Sequence, residues 1–244
     1  MPKFSIVCLI YKSTRWLDFV YEQVQKHTDL SDAEFYFVAN DACDKVKNHL
    51  VEKNIPHYIH ENTAEQRDEW YINNCYRAWN KGMLLAKGEY VILVNSDMAF
   101  SPGWLDRLTE SVQDGIVVGS RLVERGVLRS GQYGIEQNFG NVPEDYNEDG
   151  FLQFVERIRS PILAPGGLFA PILMKKEYVE KVGYYPEGNL FHGSDTIIAK
   201  KGEPCVSGDY TFMLRLAAMG IKHYTNFNSI VYHFQEGEMR DTLG

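Results

Sequence analysis

The sequence predicts an α/β fold, a mainly parallel central sheet flanked by helices. Three observations predict it. FSIVCLI (4–10), FYFVA (35–39), YVILV (90–94) and IVVGS (116–120) are near-continuous apolar runs of strand length, which suit strands covered on both faces. Between them, apolar residues recur at i, i+3, i+4, i+7, the stripe of an amphipathic helix. The two kinds of segment alternate through the first half of the chain, the order from which parallel sheets are assembled.

Taken in order, FSIVCLI is the first strand, and Leu17, Val20, Tyr21 and Val24 mark the helix after it. FYFVA is the second strand, and Val46 and Leu50 mark a short helix. PHYIH (56–60) is a weaker third strand. Ile72, Cys75, Tyr76, Trp79 and Met83 form a strong helical stripe, with Gly88 just beyond its end. YVILV is the fourth strand. Ser101-Pro102 is expected to cap the next helix, whose stripe is Trp104, Leu105, Leu108 and Val112. IVVGS is the fifth strand. From 121 to 165 the pattern weakens into Gly-, Asn- and acid-rich loop, broken by a short helix at FLQFVERI (151–158). LFAPILM (168–174) reads as a strand and KKEYVEKVG as a helix closed by Gly183. Residues 184–207 look irregular. Tyr210, Met213, Leu214 and Ala217 mark a last helix, and SIVYH (229–233) a last strand. No linker divides the chain, so a single domain over 1–244 is expected, with two halves that meet at about residue 120.

Composition narrows the function classes. The 244 residues carry a net charge of −8 with no Lys/Arg run, which argues against nucleic acid as a partner. No stretch reaches the length of a membrane span. The N-terminal apolar run meets Lys12 and Arg15 too early for a signal peptide. Cys8, Cys43, Cys75 and Cys205 are widely spaced, without a CxxC pair, which suits a reducing cytoplasm better than a disulfide framework or a zinc site.

In a parallel sheet, ligands bind beyond the carboxyl ends of the strands. That gathers Tyr11-Lys12, Asn40-Asp41 and Asn95-Ser96-Asp97. Asp97 closes a buried strand on a rigid element, where a hard cation would find an oxygen ligand; a turn aspartate is the structural alternative. His233 ends the last strand and is either a second ligand to the same ion or a packed histidine. If both hold one ion, the mixed nitrogen and oxygen set suits manganese better than magnesium. Asp209 falls in the first turn of the helix that Ser207 caps. There it serves the helix dipole, which also keeps it ionised as a general base. Tyr11 could stack on a base or cover the sheet edge. Asn40 and Asp41 could bond a base's amide edge or shape a turn. Lys81 and Arg67 could meet a phosphate or be solvated. Gly166-Gly167 allows close backbone approach, either to a ligand or in a plain turn.

The order of these segments resembles the family 2 glycosyltransferases, which have the GT-A fold: a Rossmann-like central sheet with a small additional antiparallel element. The resemblance runs from Phe4 to about His233. It rests on FSIVCLIYKSTRWLD, on FYFVANDACD, on NKGMLLAKGEYVILVNSDMAFSPGWLDRL (the most specific), on GGLFAPILMKKEYVEKVGYYPE and on SGDYTFMLRLAAMGIK. It implies that Asp97, the last acid of an Asp-x-Asp motif, binds a divalent ion on the donor diphosphate, with His233 on the same ion. It implies that Asp209 is the catalytic base. Ile10, Tyr11, Asn40, Asp41 and Lys81, with Asn95 and Ser96, would face the nucleoside-diphosphate sugar, and Gly166 and Gly167 the acceptor. Four departures stand out: Lys12 for a usual Asn, Ala39 for a base-reading aspartate, Asn95 for the first acid of Asp-x-Asp, and Gly208 for the glutamate before the base.

The expected activity is therefore metal-dependent, inverting transfer of a sugar to a glycan or other hydroxyl acceptor, with segments 129–150 and 184–207 shaping the acceptor side. A non-catalytic nucleotide-sugar-binding or carbohydrate-binding module would explain Asn95 and Gly208 as decayed positions. A sugar nucleotidyltransferase would want a Gly-rich loop after the first strand, and YKSTRWLD has no glycine. A homodimer is compatible with the chain, although no pattern indicates one.

Overall fold

The computed structural model describes residues 2–127 and 130–238. Met1, residues 239–244 of the expected 1–244 unit and Arg129 of the 129–150 segment lie outside the described residues. In chain order the elements begin with β1 (Phe4–Ile10), α1 (Thr14–His27), β2 (Ala33–Asn40), α2 (Asp44–Glu52), β3 (His57–His60), α3 (Ala64–Arg67), α4 (Tyr71–Leu85) and β4 (Tyr90–Val94). They continue with β5 (Met98–Phe100), α5 (Trp104–Glu110), β6 (Ile116–Glu124), β7 (Gly134–Glu136), α6 (Glu148–Ile158), β8 (Leu163–Pro165), β9 (Ile172–Lys175) and α7 (Lys176–Val182). Last come β10 (Leu190–Phe191), β11 (Cys205–Val206), α8 (Gly208–Ala218) and β12 (Lys222–His233).

The main sheet runs β3-β2-β1-β4-β9-β6-β12-β5, with β7 beside β6 and β8 beside β12; β10 and β11 form a separate hairpin. Strands β1 to β4 pair in parallel, as do β6 with β12 and with β7. Strands β9, β5 and β8 pair antiparallel. The sheet is thus mixed, with its parallel core where the apolar runs placed it and the antiparallel strands β5, β8 and β9 after β4 in the chain.

Side-chain alternation splits the core into two layers. Ile6, Cys8, Phe37, Ile92 and Val94 pack under Trp16 and Leu17 of α1, Val46 of α2, Trp104 of α5 and Phe151 of α6. Val7, Tyr36, Val38, Val91 and Leu93 pack under Tyr76 and Ala78 of α4, Val179 of α7 and Phe212 of α8. Because β1 lies between β2 and β4, the chain leaves it in opposite directions across the sheet. A crevice opens at their carboxyl ends.

Three local expectations are corrected. Ser101 does not cap α5: its buried hydroxyl donates to Ile230 O at 2.7 Å, and Gly103, at φ 67°, takes the N-cap position. Residues 98–100 instead form β5, edge-paired to β12. The strand expected over 168–174 is confined to Ile172–Lys175, because Pro171 has no N–H to give a ladder; its carbonyl accepts from Ser120 N at 3.2 Å. IVVGS extends to Glu124, which carries an acid to the sheet's carboxyl end.

Candidate active site

A cleft of about 970 Å³ lies at those carboxyl ends. Ile10 and Tyr11 enter it from β1, Asn40 and Asp41 from β2, Asn95, Ser96 and Asp97 from β4, Glu124 from β6 and His233 from β12. Asp209, at the start of α8, lines the same cleft.

At its floor three side chains stand in a row. Asp97 Oδ1 is 3.4 Å from His233 Nε2, and His233 Nδ1 is 3.0 Å from Glu124 Oε1. The other Asp97 oxygen accepts from Gly237 N at 3.0 Å. Burial opposes the Asp97 charge, but His233 and the Gly237 N–H outweigh it and hold its pKa below the usual carboxylate range. Burial likewise opposes the charged imidazole, yet Asp97 and Glu124 push His233 up to about 10.

Two ligands about 2.2 Å from one ion at right angles stand about 3.1 Å apart, so the 3.4 Å between Asp97 and His233 suits a shared cation. Among the described residues no group of three or more His, Cys, Asp or Glu is arranged to hold an ion. Asp97 and His233 would therefore fill two positions and leave the others to water or further oxygens.

Beside this row the turn after β1 is engaged by a residue far along the chain. Glu238 Oε1 accepts from the backbone N–H of Tyr11, Lys12 and Ser13 at 3.1, 2.7 and 2.8 Å, and Ser96 Oγ donates to its other oxygen at 3.3 Å. The Tyr11 ring faces Lys12 Nζ at 4.4 Å. At the β2 end, Asp41 adopts φ 46° and its carboxylate accepts from Asn62 N at 2.9 Å, Asn62 Nδ2 at 2.6 Å and Arg67 Nε at 2.9 Å. Burial raises the Asp41 pKa, but Asn62 and Arg67 together bring it below the ordinary value. Asp41 and Arg67 thus satisfy one another at the rim, and Asn40, whose Oδ1 accepts from Asn62 Nδ2 at 3.0 Å, stands beside them.

Asp209 owes its place to the start of α8. Ser207 Oγ accepts from Tyr210 N at 3.2 Å as the N-cap. Gly208 N donates to Asn189 Oδ1 at 3.0 Å, and Asp209 N donates to Tyr76 OH at 3.2 Å. A Cβ on Gly208 would come within 2.6 Å of the Tyr76 ring and 3.1 Å of Gly188 O, so a glutamate has no room there. Burial pushes the Asp209 carboxyl up to about 6, against a lowering by Tyr76. The helix dipole alone suggests the opposite direction; desolvation prevails here, and the group still ionises at neutral pH.

Some expected residues stand elsewhere. Lys81 is ten residues along α4 from Tyr71, roughly 15 Å by helical rise, and does not line the cleft, which meets only the helix's first turns. Gly166 and Gly167 do not line it either. They form the turn before Leu168, Phe169 and Ala170, which do, and Thr225 Oγ1 donates to Gly166 O at 2.8 Å. Tyr76 reads in the sequence only as part of the α4 stripe, and Glu124, Asn189 and Glu238 escape sequence reading. Only Glu124 left a signal, the period-two row Val118, Ser120, Leu122, Glu124.

No curated protein matches the chain by sequence. The family model described as Glycosyl transferase family 2 matches residues 72–182. Among solved structures, the crystal structure of GalNAc-T7 with UDP, GalNAc and Mn2+ aligns at a TM-score of 0.59 and 16% identity over 96% of this chain and 44% of that one. The mannosyltransferase PcManGT from Pyrobaculum calidifontis, in complex with GDP-Man and Mn2+, aligns at 0.58 and 14% over 95% and 56%. S. aureus TarS 1-349 aligns at 0.60 and 14% over 95% and 60%. The chain therefore spans about half the length of these structures, and at such identities the likeness shows the fold. Residues 72–182 are thus similar to glycosyl transferase family 2, and the fold is shared with these GT-A-like solved structures.

Proposed function

We propose that the chain transfers a sugar from a nucleoside-diphosphate sugar to an acceptor hydroxyl, with inversion at the anomeric carbon, in glycan or polysaccharide synthesis. The observation that carries this reading is that Asp97 and Asp209 line one cleft at the β1/β4 switch point. Asp97 and His233 would hold a divalent cation, manganese rather than magnesium given the mixed ligand pair. When bound, the cation supplies positive charge that stabilises the leaving diphosphate.

Asp209 takes the proton of the acceptor hydroxyl as its oxygen bonds to the anomeric carbon. The bond from that carbon to the diphosphate oxygen breaks, and the diphosphate leaves with the electron pair. Ile10, Tyr11, Asn40, Asn95 and Ser96 form the wall on which the nucleoside would lie. The 184–207 segment, tied to α8 through Asn189, would shape the acceptor side together with Leu168–Ala170. Cys8, Cys43, Cys75 and Cys205 are all free thiols, in keeping with a cytoplasmic setting.

The test is a panel of UDP- and GDP-sugars with manganese, read first by thermal shift and then by nucleoside-diphosphate release with a mixture of acceptor glycosides. Stabilisation by at least one donor with turnover is the expected result. Donor stabilisation without turnover by any acceptor would favour a binding module, and no stabilisation at all would overturn the reading.

A further inference from the structure

Glu124 is a buried carboxylate, 4% exposed, at the end of a strand whose neighbours are apolar. A buried acid is costly unless a partner meets it, and the partner here is His233. The two residues lie opposite one another in the parallel β6–β12 register. Glu124 Oε1 is 3.0 Å from His233 Nδ1. Its second oxygen lies against Gly134 of β7, where a Cβ would come within 2.7 Å of it, so the carboxylate is confined from the other side. A carboxylate only accepts, so Nδ1 keeps its proton, and Nε2 is the nitrogen that would give up its own to a cation. The remaining ring nitrogen, Nε2, then points at Asp97 Oδ1, 3.4 Å away.

We propose that Glu124 is a positioning residue: it fixes the ring orientation and tautomer of His233, so that Nε2 and Asp97 present one nitrogen and one oxygen to a divalent cation. The inference rests on the reading of the cleft as a cation site. Outer carboxylates that orient a ligating imidazole typically hold 10- to 100-fold of metal affinity, and the same loss is expected here. In this role Glu124 acts on His233, so its effect reaches the reaction through the cation.

The test measures Mn2+ affinity by the electron paramagnetic resonance signal of free Mn2+, on the protein alone and with saturating UDP or GDP. Glu124→Met fills the same space without an acceptor oxygen, whereas Glu124→Gln keeps one. Glu124→Met is expected to bind Mn2+ about 10- to 100-fold more weakly, with a loss also expected for His233→Gln, and Glu124→Gln to stay within about threefold of wild type. If Glu124→Met does not fold, Glu124→Asp, whose carboxylate stops short of Nδ1, takes its place with a loss in the same direction. Wild-type affinity in the Met or Asp variant overturns the role of Glu124 and leaves the cation site standing. Gln and Met falling equally overturns orientation as the cause. Wild type binding no Mn2+ in any condition overturns the cation site and the inference with it.

Discussion

Replacing Asp209 by Asn separates what the residue contributes to the reaction from its effect on the fold. Its carboxyl moves from 3.8 to about 6 on folding, a difference of about 2 units, or roughly 3 kcal/mol at about 1.4 kcal/mol each. The side chain is partly exposed to a solvent-filled cleft, which reduces this to about 1–2 kcal/mol. The lost acid in the first turn of α8 gives back a few tenths to about 1 kcal/mol. Asp209→Asn should therefore be about 1 kcal/mol more stable near pH 7.5, with a Tm higher by about 2–4 °C, while transfer falls by about 10²–10⁴. Between pH 3.8 and 6 the folded chain keeps a proton that the unfolded chain has released, so wild-type stability falls as pH rises through that window. The advantage of the Asn variant must then be present above pH 6 and vanish below 3.8. Thermal melts of both proteins from pH 3.5 to 8 check this. A variant less stable at pH 7.5, or a difference independent of pH, would refute the account of a desolvated base.

The same ionisation should appear in the rate: kcat rises with pH and levels off above about 6, and a profile flat from pH 5 to 8 would contradict the base assignment. Gly208→Ala should lower stability by about 1–3 kcal/mol through the Tyr76 overlap, although alanine is the better helix former; an unchanged Tm in a denaturation scan counts against that packing. Asn80→Leu removes bonds of 2.9 and 3.0 Å to the backbone of Tyr185. The Tyr185 ring packs 4.5 Å from Phe212 of α8. Losing the latch should cost about 2 kcal/mol and weaken transfer more than donor binding, read as kcat against KM.

What the sequence made legible follows from where the information lies. β1, β2 and β4 are buried on both faces, so each announces itself as an apolar run, and the helices over them as stripes. The loops that follow these strands meet by topology, which is why Tyr11, Asn40, Asn95 and Asp97 could be gathered in advance. β5 and the β10–β11 hairpin are two or three residues long and exist by pairing, which leaves no local pattern. Ser101 looks like a cap in one dimension, but its hydroxyl is drawn to Ile230, 129 residues away. The Glu124–His233 contact depends on the β6–β12 register, and the Glu238 contact with Tyr11–Ser13 joins opposite ends of the chain. Neither residue carries that meeting in its own neighbourhood. Gly208 read as a lost glutamate and is better explained by the Tyr76 ring that fills the space.

The most direct measurement compares Asp97→Ala with Asp209→Asn for two quantities, Mn2+-dependent donor affinity by calorimetry and single-turnover transfer. Asp97→Ala is expected to lose both manganese-dependent donor affinity and transfer. Asp209→Asn is expected to keep that affinity and lose only transfer. Full transfer in either variant, or an Asp97→Ala protein whose donor affinity still rises with manganese, would contradict the assignment of one acid to the cation and the other to the incoming hydroxyl.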